Sequence, residues 1–251
     1  VTEIDGLISA ATGLSAVTGL SAATGPGAGR SELMLMLLSD ARLPTGAHTQ
    51  SAGLEPAING GMPARDVPRY ITARLRTVTR VEAGAAVVAR HLSSGPNPGT
   101  GLALVDLAWR ARTISPALRE TSALLGRGYG RLVGRLWPEH PAVVALQAIR
   151  LPCRAVVLGV AAACTGLAPM QLGRLIGYDE AQTIAAAALK IAPLDPVDAT
   201  AWVIGVQDDI ERMAGSVAGL TEPDEIPAFG APLIEQWAEI HSTTTQRLFR
   251  A

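Results

Sequence analysis

Charge is scarce in this sequence. Asp, Glu, Lys and Arg make up 17% of its 251 residues, where about 25% is ordinary for a soluble domain. Aromatic residues supply only 4%. A chain this apolar either buries an unusual fraction of itself or reserves surface for other proteins. Monomers rarely expose large apolar patches, so reserved partner surface is the reading adopted. The formal net charge is −1 and no basic block occurs, which excludes a nucleic-acid footprint. Cysteine is limited to Cys153 and Cys164. On one helix these would stand about 16 Å apart at 1.5 Å per residue, too far for a disulfide. Free thiols in a reducing compartment are expected.

Long apolar runs and strand signals are missing too. The longest uncharged stretch, 155–173, is interrupted by Thr165, Pro169, Gln171 and several glycines. It predicts a buried helix pair and no membrane span. Residues 1–30 lack a basic start followed by an apolar segment, so no secretory signal is expected and the cytoplasm is the expected location. No segment alternates convincingly, and no Asn-Gly hairpin joins two strands.

What is present begins with three hexapeptide repeats over 11–28, which predict a flexible low-complexity tail at 1–30. The tail ends in Gly25-Pro26-Gly27-Ala28-Gly29-Arg30-Ser31, which imitates a phosphate loop. The imitation fails, because Thr24 and Arg30 stand at the first glycine and the lysine positions and no apolar strand precedes them.

From residue 31 onward the periodicity is helical. Val67, Tyr70, Ile71, Leu75, Val78, Val81, Ala85, Val88 and Leu92 form one long apolar stripe, with Asp66 as its expected cap. Arg65, Arg69, Arg76 and Arg80 lie opposite, as a solvated face or a face for an acidic partner. A loop at 93–100 precedes a helix near 102–112, and Ser115-Pro116 opens another toward Trp137. In that helix Gly126, Gly130 and Gly134 recur every fourth residue. Glycine is costly inside a helix, so another helix backbone is expected close to that face, from the same fold or a second copy. Further helices are expected at 153–165, 169–177, 179–191, 196–217 and 232–249. The chain reads as an all-α, single-domain helical bundle of roughly eight to ten helices without a sheet.

The most informative segment is Pro44-Thr45-Gly46-Ala47-His48-Thr49-Gln50-Ser51-Ala52-Gly53-Leu54-Glu55, after the run Leu33–Leu38. Pro44 and Gly46 forbid the preceding helix from continuing. A turn of small, hydrogen-bonding side chains between two apolar elements usually positions something.

Pro-x-Gly-x-x-x-x-Ser-x-Gly-Leu-Glu after a Leu-rich helix resembles the urease accessory protein F (UreF) family. Four further stretches agree in order. They are Arg119-Glu120-Thr121-Ser122 with Gly126, His140-Pro141-Ala142-Val143, Leu189–Leu194, and His241 followed by Arg247-Leu248-Phe249-Arg250. The likeness spans about 33–250. It departs from the family's usual wording at Ala47, His48, Gln50, Leu146-Gln147 and Ser242. The resemblance implies an all-helical, homodimeric, non-catalytic scaffold. Such proteins bind a D/H-type accessory protein and a G-type GTPase, and the assembly delivers Ni²⁺ to apo-urease. The partner-contact residues it implies are Pro44, Gly46, His48, Gln50, Ser51, Gly53 and Glu55 in the turn. At the other end of the chain they are His241, Arg247, Leu248, Phe249 and Arg250.

Other chemistries are weaker. His48, Ser51 and Glu55 would have to converge for a hydrolase, and no Gly-x-Ser-x-Gly elbow surrounds Ser51. The plainer expectation makes Ser51 the cap of a short helix and puts Glu55 at its positive end. The histidines His48, His91, His140 and His241 lack ligand spacing, so no bound cofactor or metal is expected. A transient nickel path through His48 is the one conceivable exception. The alternative functions are a hydrolase centred on His48 and Ser51, or a helical binding module unrelated to urease.

Overall fold

Proline opens six of the helices. Pro98, Pro116, Pro141, Pro169, Pro196 and Pro232 each occupy a first-turn position, where the missing amide is no loss and φ is already helical. The computed structural model describes residues 28–250. Most of the expected 1–30 tail, with its hexapeptide repeats, therefore lies outside the described residues.

Twelve α-helices follow one another, and no strand occurs among the described residues. They are α1 (Ala28–Leu38), α2 (Leu54–Asn59), α3 (Val67–Arg76), α4 (Val78–Leu92), α5 (Pro98–Arg112) and α6 (Pro116–Leu136). Then come α7 (Pro141–Leu146), α8 (Arg154–Thr165), α9 (Pro169–Ile191), α10 (Pro196–Gly205), α11 (Gln207–Val217) and α12 (Pro232–Thr243). Two of the twelve, α2 and α7, have only six residues. The all-α expectation holds.

The centre is α4 against α8, with α9 beside them. Ala83, Ala85, Ala86 and Ala89 of α4 and Gly159, Ala161 and Ala162 of α8 are all buried, and Gly159 lies against Ala86 and Ala89. A Cβ on Gly159 would stand 2.5 Å from the Ala86 carbonyl oxygen. The abundance of Ala and Gly is thus spent on close helix approach, where small side chains let dispersion contacts form backbone to backbone. No described helix is long and apolar enough to cross a membrane, and both cysteines are free thiols.

Several boundaries differ from expectation. The long stripe breaks at Thr77 (φ −121°, ψ −103°) into α3 and α4. There the Thr77 hydroxyl donates to the Ala73 carbonyl at 2.7 Å, a back-bond that bends helices. Asp66 precedes α3 without a side-chain capping bond and pairs loosely with Arg69 at 3.7 Å. Helix α5 starts at Pro98, inside the expected loop. The expected 169–177 and 179–191 helices are one helix, because Gly177 makes room for Ile210 and Met213 of α11 instead of ending α9. The expected 196–217 helix breaks at Val206. The last helix ends at Thr243, short of Phe249.

The glycine row is only partly what its spacing suggested. A Cβ on Gly126 would lie 2.2 Å from the Pro152 carbonyl oxygen, so a backbone does come close there. Gly130 and Gly134 have nothing within 4 Å.

Candidate functional site

The turn at 44–55 is built from two left-handed glycines, Gly46 (φ +85°) and Gly53 (φ +75°), with Ala52 also at positive φ (+51°). Glycine adopts this region without a Cβ clash. Between them runs a 3₁₀ turn, Ala47–Thr49. At Gly53 there is a further constraint, since a Cβ would meet the Tyr70 hydroxyl at 2.9 Å. That hydroxyl donates to the Ala52 carbonyl at 2.8 Å. The formal cap of α2 is Gly53, not Ser51. The Ser51 hydroxyl, wholly buried, still accepts the Glu55 N–H at 3.4 Å.

Glu55, 4% exposed, turns its carboxylate away from solvent and onto the C-terminal segment. Oε1 accepts the Leu248 N–H at 2.7 Å and Oε2 accepts the Phe249 N–H at 2.9 Å. The Arg250 N–H donates to the Thr49 carbonyl at 2.8 Å. His241 Nε2 lies 3.3 Å from the Phe249 carbonyl oxygen and 3.8 Å from Glu55 Oε2. The Phe249 ring is buried, and the Lys190 ammonium sits 5.1 Å from its centroid, within cation–π range. Two carboxylate oxygens, each taking one backbone amide, form a charge-assisted clasp. This clasp is why residues 244–250 do not continue α12.

Three of the sequence stretches singled out above therefore meet in one place: 44–55, 189–190 and 241–250. Within it the side chains divide. Ser51, Glu55, His241 and Phe249 are buried, while Pro44, His48, Arg247, Leu248 and Arg250 are exposed. Leu248 stands out at 71% exposure, its backbone held by Glu55 and its side chain in solvent. Gln50 is buried and its Oε1 has no hydrogen-bond partner among the described residues. Arg247 reaches back to the His241 carbonyl at 3.3 Å.

Beneath the turn lie charges that the sequence reading did not single out. Arg74 of α3 pairs with Glu180 of α9, both buried, and also reaches the Tyr70 hydroxyl at 3.5 Å. Arg154 of α8 bonds Glu82 at 2.7 Å and Asp179 at 2.9 Å. Burial opposes the charge on Arg154, but Glu82 and Asp179 outweigh it and raise its pKa. Burial raises the Asp179 carboxyl above its ordinary value in spite of Arg154. It also pushes the Tyr129 phenol up to about 12, beside Thr45 of the turn. A signal for these residues exists in the sequence: Arg74 falls on the apolar side of its helix, four positions after Tyr70.

The arrangement does not assemble a hydrolase. His48 is exposed and Ser51 is wholly buried, and both oxygens of Glu55 are engaged by the tail. The imidazole that lies near Glu55 is that of His241, at 3.8 Å. Among the described residues no group of three His, Cys, Asp or Glu side chains could hold a metal ion. His140 instead caps α7, its Nδ1 accepting the Ala142 N–H at 3.2 Å.

Comparison with known proteins adds to this geometry. The UreF family model matches residues 63–207. A urease accessory protein UreF from Mycolicibacterium vanbaalenii is 34% identical over 217 residues, covering 86% of this chain and 96% of the relative. Those from Mycobacterium sp. (strain JLS) and Mycobacterium tuberculosis (strain H37Rv) are each 32% identical, over 218 and 222 residues. Each of these two matches covers 86% of this chain, with 96% and 97% of the respective relative.

Proposed function

The chain belongs to the UreF family of urease accessory proteins, and from that premise we propose that it is a cytoplasmic, homodimeric scaffold acting through its interfaces. It binds the D/H-type accessory protein and the G-type GTPase, and it assists GTP-dependent insertion of nickel into apo-urease. Nickel is cargo of the assembly and is not firmly held by this chain.

One observation carries the reading. The Glu55 clasp holds the backbone of the C-terminal segment and presents Leu248, 71% exposed, next to Arg250 and the rim of the 44–55 turn. A large apolar side chain on a fixed backbone loses little freedom when a partner covers it. Anchors of this kind dominate protein interfaces. The buried half of the site supports the exposed half, and no nucleophile is activated in either.

Co-purification of the tagged full chain with the G-type GTPase and the D/H-type protein tests the proposal, together with urease activation in cells lacking this gene. Both partners are expected to be captured, and Leu248→Asp is expected to weaken one of them without altering the circular dichroism. Capture of neither partner, with urease activated normally in the deletion strain, would overturn the function.

A further inference from the structure

A groove of about 320 Å³ runs between α6 and α7 and the segment that follows α7. Its floor includes Gly130, Gly134, Val143 and Leu146, and its rim carries Arg127, Arg131 and Arg150. All three arginines are exposed, and none makes an ion pair among the described residues. Most other arginines that line interior or inter-helix contacts have a carboxylate or carbonyl partner, as Arg74, Arg110, Arg112, Arg154 and Arg174 do. The groove therefore has a sign as well as a shape.

The floor is also unexplained from within. Gly126 and Gly128 are required, since their Cβ atoms would fall 2.2 Å and 2.3 Å from the carbonyl oxygens of Pro152 and Thr45. Gly130 and Gly134 would meet nothing within 4 Å. Both lie inside a helix, where glycine is the least favourable residue after proline. What glycine offers there is close approach for another backbone.

We propose that this groove docks an acidic helical segment of a partner protein, gripped by Arg127, Arg131 and Arg150. Arg127 and Arg131 stand one helical turn apart, about 6 Å along α6. Carboxylates at every fourth position of a bound helix match that spacing. Arginine forks favour carboxylates in such contacts. A nucleic acid fits less well, because the chain carries a net charge of −1 and the floor holds aliphatic side chains with no ring to stack on. A second copy fits less well too. Of the three acidic residues of α11, two are already engaged, Asp209 by Arg76 and Arg212 and Glu211 by Arg174. The inference rests on the scaffold reading above and adds the chemistry of one partner.

The test uses the full chain, its Arg127→Glu/Arg131→Glu variant and Gly130→Leu, which fills the groove from a position with open space. The probe is a labelled Ala-rich helical peptide with Glu at every fourth position, alongside its Gln counterpart and a single-stranded DNA. The expected result is salt-sensitive binding of the Glu peptide alone, weakened about tenfold in both variants at unchanged circular dichroism. Capture of one among the GTPase, the D/H-type protein and apo-urease should fall in parallel. The proposal is overturned if the Glu peptide does not bind, binds both variants equally or is matched by DNA. It is also overturned if the variants dissociate a homodimer, which would make a second copy the occupant. If all three proteins bind the variants like wild type, the groove is not their dock and the scaffold reading stands. If the peptide behaves as expected but wild type captures none of the three, the scaffold reading fails and the groove stands.

Discussion

Glu55 accepts the backbone N–H of Phe249 at 2.9 Å, joining positions 194 apart in sequence. A buried carboxylate needs donors, and here they come from the backbone of the chain's last described residues. The turn and the tail are therefore one structural unit.

Removing that carboxylate should release the tail before it disturbs the bundle. Glu55→Ala is expected to cost about 2–3 kcal/mol, since it strands two amides that had a charged acceptor. Glu55→Gln should cost less. Limited proteolysis is the direct measurement: cleavage after Thr243 should accelerate while the helical core survives. A tail cut no faster than in wild type would mean that the clasp does not hold it.

Gly53 should resist substitution more strongly than Gly46. Both sit at positive φ, where a Cβ costs roughly 1 kcal/mol. Only at Gly53 does the added Cβ also approach the Tyr70 hydroxyl, at 2.9 Å. Gly53→Ala should lower the urea midpoint about twice as much as Gly46→Ala.

The helices were legible because their signals are local. Asp195 caps α10, accepting the Val197 N–H at 2.8 Å, and Ser115 caps α6, accepting the Leu118 N–H at 3.2 Å. Both were readable from a polar residue before proline. The breaks at Thr77 and Val206 were not, because nothing in the apolar period marks them. Both halves of the candidate site were named from the sequence, but their contact was not, since a carboxylate reaching across the whole chain leaves no periodic trace. The Arg74–Glu180 and Arg154–Asp179 pairs were missed for a related reason. A charged residue on an apolar face shows its partner only in three dimensions.

Breaking the Arg74–Glu180 pair from one side should be severe. Arg74→Met leaves the Glu180 carboxylate buried without its cation, at an expected cost of about 3–5 kcal/mol. The double change Arg74→Met/Glu180→Met should recover most of this, because the desolvation of both charges disappears together. Urea unfolding of the two variants separates the outcomes. A double variant as unstable as the single would show that the pair stabilises by more than mutual neutralisation.

Along α6, alanine should act with opposite sign at two glycines one turn apart. Gly126→Ala forces a Cβ to 2.2 Å from the Pro152 oxygen, so α6 and the start of α8 must separate. Gly130→Ala meets nothing within 4 Å, and it should stabilise the isolated protein by up to about 1 kcal/mol through helix propensity. Thermal melts at one concentration decide both signs.

The α7 cap gives the chain a pH dependence near neutrality. Burial lowers the His140 pKa below its ordinary 6.5, and Nδ1 must stay unprotonated to accept the Ala142 N–H. A group whose folded pKa is depressed contributes stability that is present above the unfolded value and lost as pH falls through the folded one. Stability should therefore be level above about pH 7 and decline below 6.5. His140→Asn keeps an acceptor at the cap and cannot titrate, so it should flatten this decline while leaving stability at pH 8 nearly unchanged. His140→Ala should instead lose about 1 kcal/mol at pH 8, as any N-cap deletion does, and its deficit relative to wild type should shrink as pH falls and the wild-type cap is lost. The quantity to measure is the difference between wild type and His140→Asn in urea midpoint at pH 8 and pH 5.5. Equal declines in the two proteins would assign the pH dependence to another group.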